Sequence, residues 1–251
     1  MASKSFNVGV IGYGMSAKIF HIPFIATTPQ FKLHAIVQRS PKDGNSAPAD
    51  HPEAKHYTDV QDLLADAAVD VVVVTTPPDN HFALTKAALE AGKHVLTEKP
   101  FVPTSAEADQ LIAVARAHGR LICVYQNRRW DSDFLTPRFW VRGLKGSFHK
   151  VGLDPQEDQL KAGVKPTAEG FGKDKPESMR LSVVDAQGKS SLIAVPDLKP
   201  ETYTTFYNAF GRAVETGKEE DVPVKPTEAR DVLRIIEAIQ ESAKSGKDVT
   251  F

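Results

Sequence analysis

The sequence predicts an α/β fold in which a doubly wound parallel sheet is followed by a shortened α+β domain with antiparallel strands. Three observations carry this expectation. Short apolar runs alternate with helical stretches through the first 130 residues, a spacing that demands crossover connections and therefore parallel strands. Within 69–75, four consecutive valines (Val71 to Val74) read as a strand covered on both faces. Beyond Trp130 the alternation stops, and glycine turns separate facing strands instead.

Element by element, 7–11 is a short buried strand, followed at once by Gly12, Tyr13, Gly14, Met15, Ser16 and Ala17 and a helical stretch over 16–26. A second strand spans 32–38, a helix 59–67, and the valine strand follows. The helix over 80–91 stops at Gly92, a suitable residue just past a helix end. A strand at 94–97 comes next, then a helix opened by Thr104-Ser105-Ala106-Glu107, a capping-box pattern, and a strand over 121–125. In the second half, 138–142 and 147–151 flank Gly143 to Gly146, and 180–185 and 190–195 flank Gln187-Gly188, giving two hairpins. Between them, 154–177 is polar and reads as a long excursion. Helices are expected over 203–215 and 227–244, the second with an apolar stripe of Val232, Ile235, Ile236 and Ile239. The expected division is a first domain over 1–130 and a second over 131–251 that includes the last helix.

Bulk properties narrow the function. Thirty-one basic and 32 acidic residues leave a formal charge of -1, which gives no electrostatic case for nucleic acid or an anionic membrane. No apolar run approaches membrane-spanning length. The start of the chain carries no hydrophobic signal region, and the single cysteine, Cys123, reads as a small core residue in a reducing compartment, so a cytoplasmic protein is expected. The eight histidines show no ligand spacing, and no metal site is expected.

The leading chemical signal is Gly12-x-Gly14-x-x-Ala17 between a strand and a helix. Gly12 allows the tight turn, Gly14 lets a pyrophosphate approach the backbone, and Ala17 is small enough for the helix to pack on the strand. Helix-start N–H groups at Met15, Ser16 and Ala17 suit the phosphates. In this context the turn points to a Rossmann-type domain that binds a nicotinamide dinucleotide. At the end of the second strand, where an acidic residue would hold the ribose 2′-hydroxyl of NAD, the chain has Gln38-Arg39-Ser40. Arg39 and Ser40 suit a 2′-phosphate, so NADP is preferred; a solvated surface arginine and NAD stay open. Thr76, Pro77, Asn80 and His81, then Glu98 and Lys99, fall at the C-terminal ends of expected parallel strands, where such sheets bind ligands. Lys99 is the group among them suited to donate or accept a proton. From spacing alone, a solvated Glu98–Lys99 pair is the simpler reading.

Together Gly12-Tyr13-Gly14, Thr76-Pro77, His81, Glu98-Lys99-Pro100 and Gln126-Asn127-Arg128-Arg129-Trp130-Asp131 resemble the Gfo/Idh/MocA oxidoreductases, and Phe20-His21-Ile22-Pro23-Phe24 resembles a subgroup that includes scyllo-inositol dehydrogenases. The resemblance covers nearly all of the chain. It implies an NAD(P)-dependent oxidoreductase acting on a sugar, polyol or related hydroxyl or carbonyl compound. It implies a catalytic Lys99 beside a cis Lys99–Pro100 bond, with Arg129 and Trp130 near the nicotinamide or substrate; core packing for Trp130 and a surface charge for Arg129 are equal alternatives. The family's later Asp and His, the latter a proton-transfer partner of the lysine, have no counterpart here. Thr136 runs into Pro137 where the family has a long block. The exposed antiparallel strands then suit a homo-oligomer interface through the C-terminal sheet. Two alternatives stand beside the enzyme: a dinucleotide-binding protein without turnover, and a defective product with a disordered second half.

Overall fold

The computed structural model describes residues 5–131, 138–196 and 199–250. The expected Thr136/Pro137 junction lies outside the described residues. By its internal contacts the chain divides into two compact units, 1–126 with 207–251, and 127–206. The last helices therefore belong to the first unit, whereas the sequence division at 130/131 assigned them to the second.

The first unit begins with β1 (Phe6–Ile11), a π-helical turn (Ala17–His21) and α1 (Ile22–Ile25). Then come β2 (Phe31–Val37), α2 (Ala47–Asp50), β3 (Lys55–Tyr57), α3 (Val60–Ala65) and β4 (Val71–Val74). α4 (His81–Glu90), β5 (His94–Thr97), α5 (Ser105–Ala117) and β6 (Ile122–Val124) complete the alternation. The six strands form one parallel sheet in the order β3-β2-β1-β4-β5-β6. Order reverses between β1 and β4, the switch point at which dinucleotide-binding sheets hold their ligand. The valine strand β4 is buried along its whole length, as its double-sided cover requires. The capping box forms at Thr104 and Glu107, and Gly92 takes a left-handed conformation just past α4.

The second unit holds β7 (Arg138–Gly143), β8 (Gly146–Val151), α6 (Gln156–Lys161), β9 (Met179–Val184) and β10 (Ser190–Ile193). Both expected hairpins form, and β8 pairs with β9, so they make one antiparallel sheet, β10-β9-β8-β7. α6 is a helix inside the stretch read as an excursion; its buried Gln156 and Leu160 anchor it. Trp140, at 51% exposure, and Leu192, at 72%, leave this sheet partly uncovered.

α7 (Tyr203–Thr216) and α8 (Pro226–Ser245) end the chain. From Tyr207 on, their residues lie in the first unit. α8 docks on α5 by its polar edge: Arg230 and Arg234 each reach Asp109 at 3.0 Å, and Glu237 accepts from Ser105 N and Oγ at 2.7 and 2.6 Å. The expected stripe of Val232, Ile235, Ile236 and Ile239 is exposed instead. Helical spacing found the stripe correctly but could not say which side of the helix meets the core.

Candidate functional site

The site grows from the turn after β1. Gly12 has φ 102°, and a Cβ there would come within 2.9 Å of Thr75 Oγ1, so both conformation and space select glycine. Thr75 Oγ1 donates to the Ile11 carbonyl at 3.0 Å, tying β4 to this turn. A Cβ on Gly14 would meet nothing within 4 Å, which leaves its backbone open to a ligand. Ala17 is fully buried, as close helix–strand packing requires. Tyr13 is held by its hydroxyl, which donates to Asp50 Oδ2 at 2.8 Å, with Lys18 Nζ 4.5 Å from its ring centre. Burial and then this bond push the Tyr13 hydroxyl well above its ordinary pKa, so it stays protonated. Met15 is exposed.

Beyond β2, the Gln38 side chain donates to Asn45 O at 2.8 Å and accepts from Ala47 N at 2.7 Å. That clasp folds the intervening loop and leaves Arg39 and Ser40 exposed on it. Past β4, Thr76 precedes exposed Pro77 and Asn80, and its hydroxyl is buried without a hydrogen-bond partner among the described residues. The buried His81 ring joins two strand ends: its nitrogens lie 2.9 Å from Thr76 O and 2.8 Å from Pro100 O.

Past β5 comes the most polar part of the site. The Lys99–Pro100 bond is cis, as the resemblance implied. Lys99 is exposed, and its ammonium group has no hydrogen-bond or ion-pair partner among the described residues. The simple Glu98–Lys99 ion pair does not form. Glu98 turns inward and is buried. Its Oε1 accepts from Ser16 Oγ and lies 3.1 Å from His21 Nε2, and its Oε2 accepts from Lys99 N at 2.9 Å. Burial would raise the Glu98 carboxyl, but the hydrogen bonds from His21, Ser16 and Lys99 outweigh it and hold it below its ordinary value, hence ionised. His21 Nδ1 lies 2.6 Å from the hydroxyl of Tyr207 in α7. Burial, then the charge of Glu98, push the Tyr207 hydroxyl well up.

His21 and Tyr207 are the site residues that sequence reasoning missed. His21 sat in a run quoted only for its resemblance. Tyr207 fell in 203–215, a stretch expected only to be helical. The usable signal was that a buried tyrosine hydroxyl needs a partner.

Arg129 and Trp130 belong to the second unit, in the 3₁₀ turn Asn127–Trp130. Trp130 packs edge-on against Phe206, ring centres 5.3 Å apart, and Arg129 is exposed. Within that unit Arg128 bonds Asp131 at 2.8 Å and Glu157 at 3.0 Å, and Tyr203 OH donates to Asp131 at 2.8 Å.

Residues 6–126 match the Gfo/Idh/MocA family, described as an oxidoreductase family with an NAD-binding Rossmann fold. The Rossmann segment of the chain belongs to this family. Among similar proteins, the uncharacterised oxidoreductase YdgJ of Escherichia coli K12 is 29% identical over 346 residues, covering 96% of this chain and 97% of YdgJ. The scyllo-inositol 2-dehydrogenase (NADP(+)) IolW of Bacillus subtilis is 26% identical over 353 residues, covering 97% of this chain and 95% of IolW. An oxidoreductase structure from Bacillus cereus superposes with a TM-score of 0.78 at 25% identity, covering 93% of this chain and 95% of that one. Both alignments are longer than the 251 residues of the chain, so the chain lacks counterparts for a substantial part of those relatives.

Proposed function

We propose that this Gfo/Idh/MocA protein binds NADP, in preference to NAD, over the switch point of its parallel sheet and transfers a hydride between it and a sugar, polyol or related hydroxyl or carbonyl compound. The observation that carries the reading is the joining of the open Gly12–Gly14 turn to the Glu98–Lys99 segment through Ser16 and Glu98. The site fits a dinucleotide: the backbone at Gly14 can be approached, and N–H groups at the start of the helical run suit phosphates. Bound NADPH would supply the hydride chemistry. Thr76, Pro77, Asn80 and His81 would border the cofactor along the ends of β4 and β5. Arg39 and Ser40 would hold the ribose phosphate, which an arginine binds in bidentate fashion. Lys99 Nζ would donate a proton to the oxygen of a carbonyl being reduced, or take one from a hydroxyl being oxidised. Arg129 and Trp130 keep their proposed roles beside the nicotinamide or substrate.

A second reading, dinucleotide binding without turnover, is favoured by one observation: the chain is shorter than its relatives while its cofactor turn is intact. We extend the proposal to a cytoplasmic setting, in keeping with the buried Cys123 thiol, and to a homo-oligomer formed through the partly uncovered sheet. No helix among the described residues is long and apolar enough to cross a membrane.

Calorimetric titration with NADPH and NADH tests the cofactor claim. Saturable binding with NADPH the tighter is the expected result, and no heat with either overturns it. NADPH oxidation across a panel of inososes and sugars then separates the enzyme from the binding protein.

A further inference from the structure

Resting on the dinucleotide reading above, we infer that Glu98 is a positioning residue that couples the dinucleotide turn to Lys99, with His21 and Tyr207 holding it from behind. Its carboxylate takes donors from three places: the Ser16 hydroxyl at the start of the first helical run, His21 within that run, and the amide of Lys99 itself. An ionised carboxylate only accepts, so all three bonds are made at once.

His21 reaches both of its neighbours at once. Against an ionised Glu98, Nε2 must carry a hydrogen and donate it, and Nδ1 lies 2.6 Å from the Tyr207 hydroxyl on the opposite side. The ring cannot turn away. Tyr125 lies against it at 4.4 Å between ring centres, and the Tyr125 hydroxyl donates to Phe20 O at 2.9 Å. Tyr207 in turn stacks on Phe24 at 5.5 Å and 11°. The string is therefore braced at its far end by core aromatics, and its near end meets the amide of the residue that carries the reactive amine. The Ser16 hydroxyl is committed to Glu98, which leaves the Ser16 backbone N–H for a phosphate. Any adjustment of the turn on loading passes through one carboxylate to Lys99.

The test uses the full chain and the acylation rate of Lys99 by a small amine-reactive ester, followed by peptide mass spectrometry with and without saturating NADPH. In the wild type, bound NADPH is expected to slow Lys99 acylation about tenfold. Glu98→Gln replaces an acceptor oxygen with a donor, so one of the three bonds is lost. That variant is expected to melt cooperatively, to bind NADPH about tenfold more weakly, and to leave Lys99 unprotected even when saturated. Tyr207→Phe removes only the brace and is expected to give partial protection; it carries the test if Glu98→Gln does not fold. Wild-type protection of Lys99 in the saturated variants overturns the coupling while leaving cofactor binding intact. Absence of NADPH and NADH binding by the wild type overturns the dinucleotide reading itself, a distinct result.

Discussion

Arg39 stands on a loop clasped by Gln38, and the loop offers no acidic residue at the end of β2. Arg39→Ala is therefore expected to weaken NADPH by about tenfold or more, the scale of a lost charge-assisted contact, and to leave NADH nearly unchanged. Paired titrations read this directly, and equal losses for both cofactors would remove Arg39 from the site. A second residue sets acid stability. Asp66 accepts from Lys55 Nζ and His34 Nε2 at 2.9 Å, Ala68 N at 3.0 Å and Tyr57 OH at 3.0 Å. The Lys55 bond foremost, then those of His34 and Ala68, hold its carboxyl far below the ordinary range. The folded state thus binds this proton less tightly than the unfolded chain. Its stabilisation is complete above the unfolded value of about 3.9 and fades as pH falls below it. Denaturant midpoints of Asp66→Asn should be lower than wild type at pH 7, with the gap narrowing steadily as pH falls below about 4 and closing only in strong acid; parallel curves would contradict this. At this scale Lys99 and the glycines were legible, because a local motif marks them. His21 and Tyr207 were not, since 186 positions separate them and only the fold makes them neighbours.

Elements whose signals are local came through. The Thr104–Glu107 box opens α5 as its pattern requires, with Glu107 N donating to Thr104 Oγ1 at 3.2 Å. Thr104→Ala is expected to cost about 1 kcal/mol in thermal or denaturant unfolding. α2 and β3 were not found: β3 is three residues, Lys55-His56-Tyr57, with no apolar run, and edge strands of that length carry almost no pattern. α8 teaches the complementary lesson. Its stripe is real, yet Ile239 is 62% exposed while Arg230, Arg234 and Glu237 make the contact with α5. Ile239→Lys should consequently change stability by no more than about 0.5 kcal/mol; a cost of several times that would mean the stripe is buried in solution.

For the whole molecule, the informative feature is the return of the chain to its first unit. Phe210 packs near Phe31 at 5.6 Å, and Tyr207, Ala213, Val222 and Val224 are buried there. Each large buried apolar side chain is worth about 1.5–3 kcal/mol, and several together are comparable with the whole stability of an ordinary domain, about 5–15 kcal/mol. A chain ending at residue 206 is expected to show no cooperative melt, although it keeps every residue of the nucleotide-binding motif. The second unit makes a different prediction. Its sheet leaves Trp140, Val141, Leu192 and Ile193 exposed, and apolar sheet surface of this kind is normally covered by another chain. Sedimentation should show a dimer that Trp140→Glu with Leu192→Glu converts to a monomer; an already monomeric wild type would refute the interface. The parallel sheet was readable because every parallel strand brings its own crossover; the order of its strands was not. The unit boundary was not, because a returning C-terminal segment looks like any other helix until its partners are known.

The amide of Val124 in β6 donates to the carbonyl of Val224 at 3.2 Å. A ribosome making this protein has finished all six parallel strands long before it adds residue 224. Until then the outermost strand has an unclaimed flank, and the nascent chain must wait, open to chaperones, for a pairing that spans a hundred positions. Such distant pairings fold slowly and late. A polypeptide stopped anywhere before residue 224 is thus left with that β6 amide lacking its acceptor, however complete the six strands themselves are.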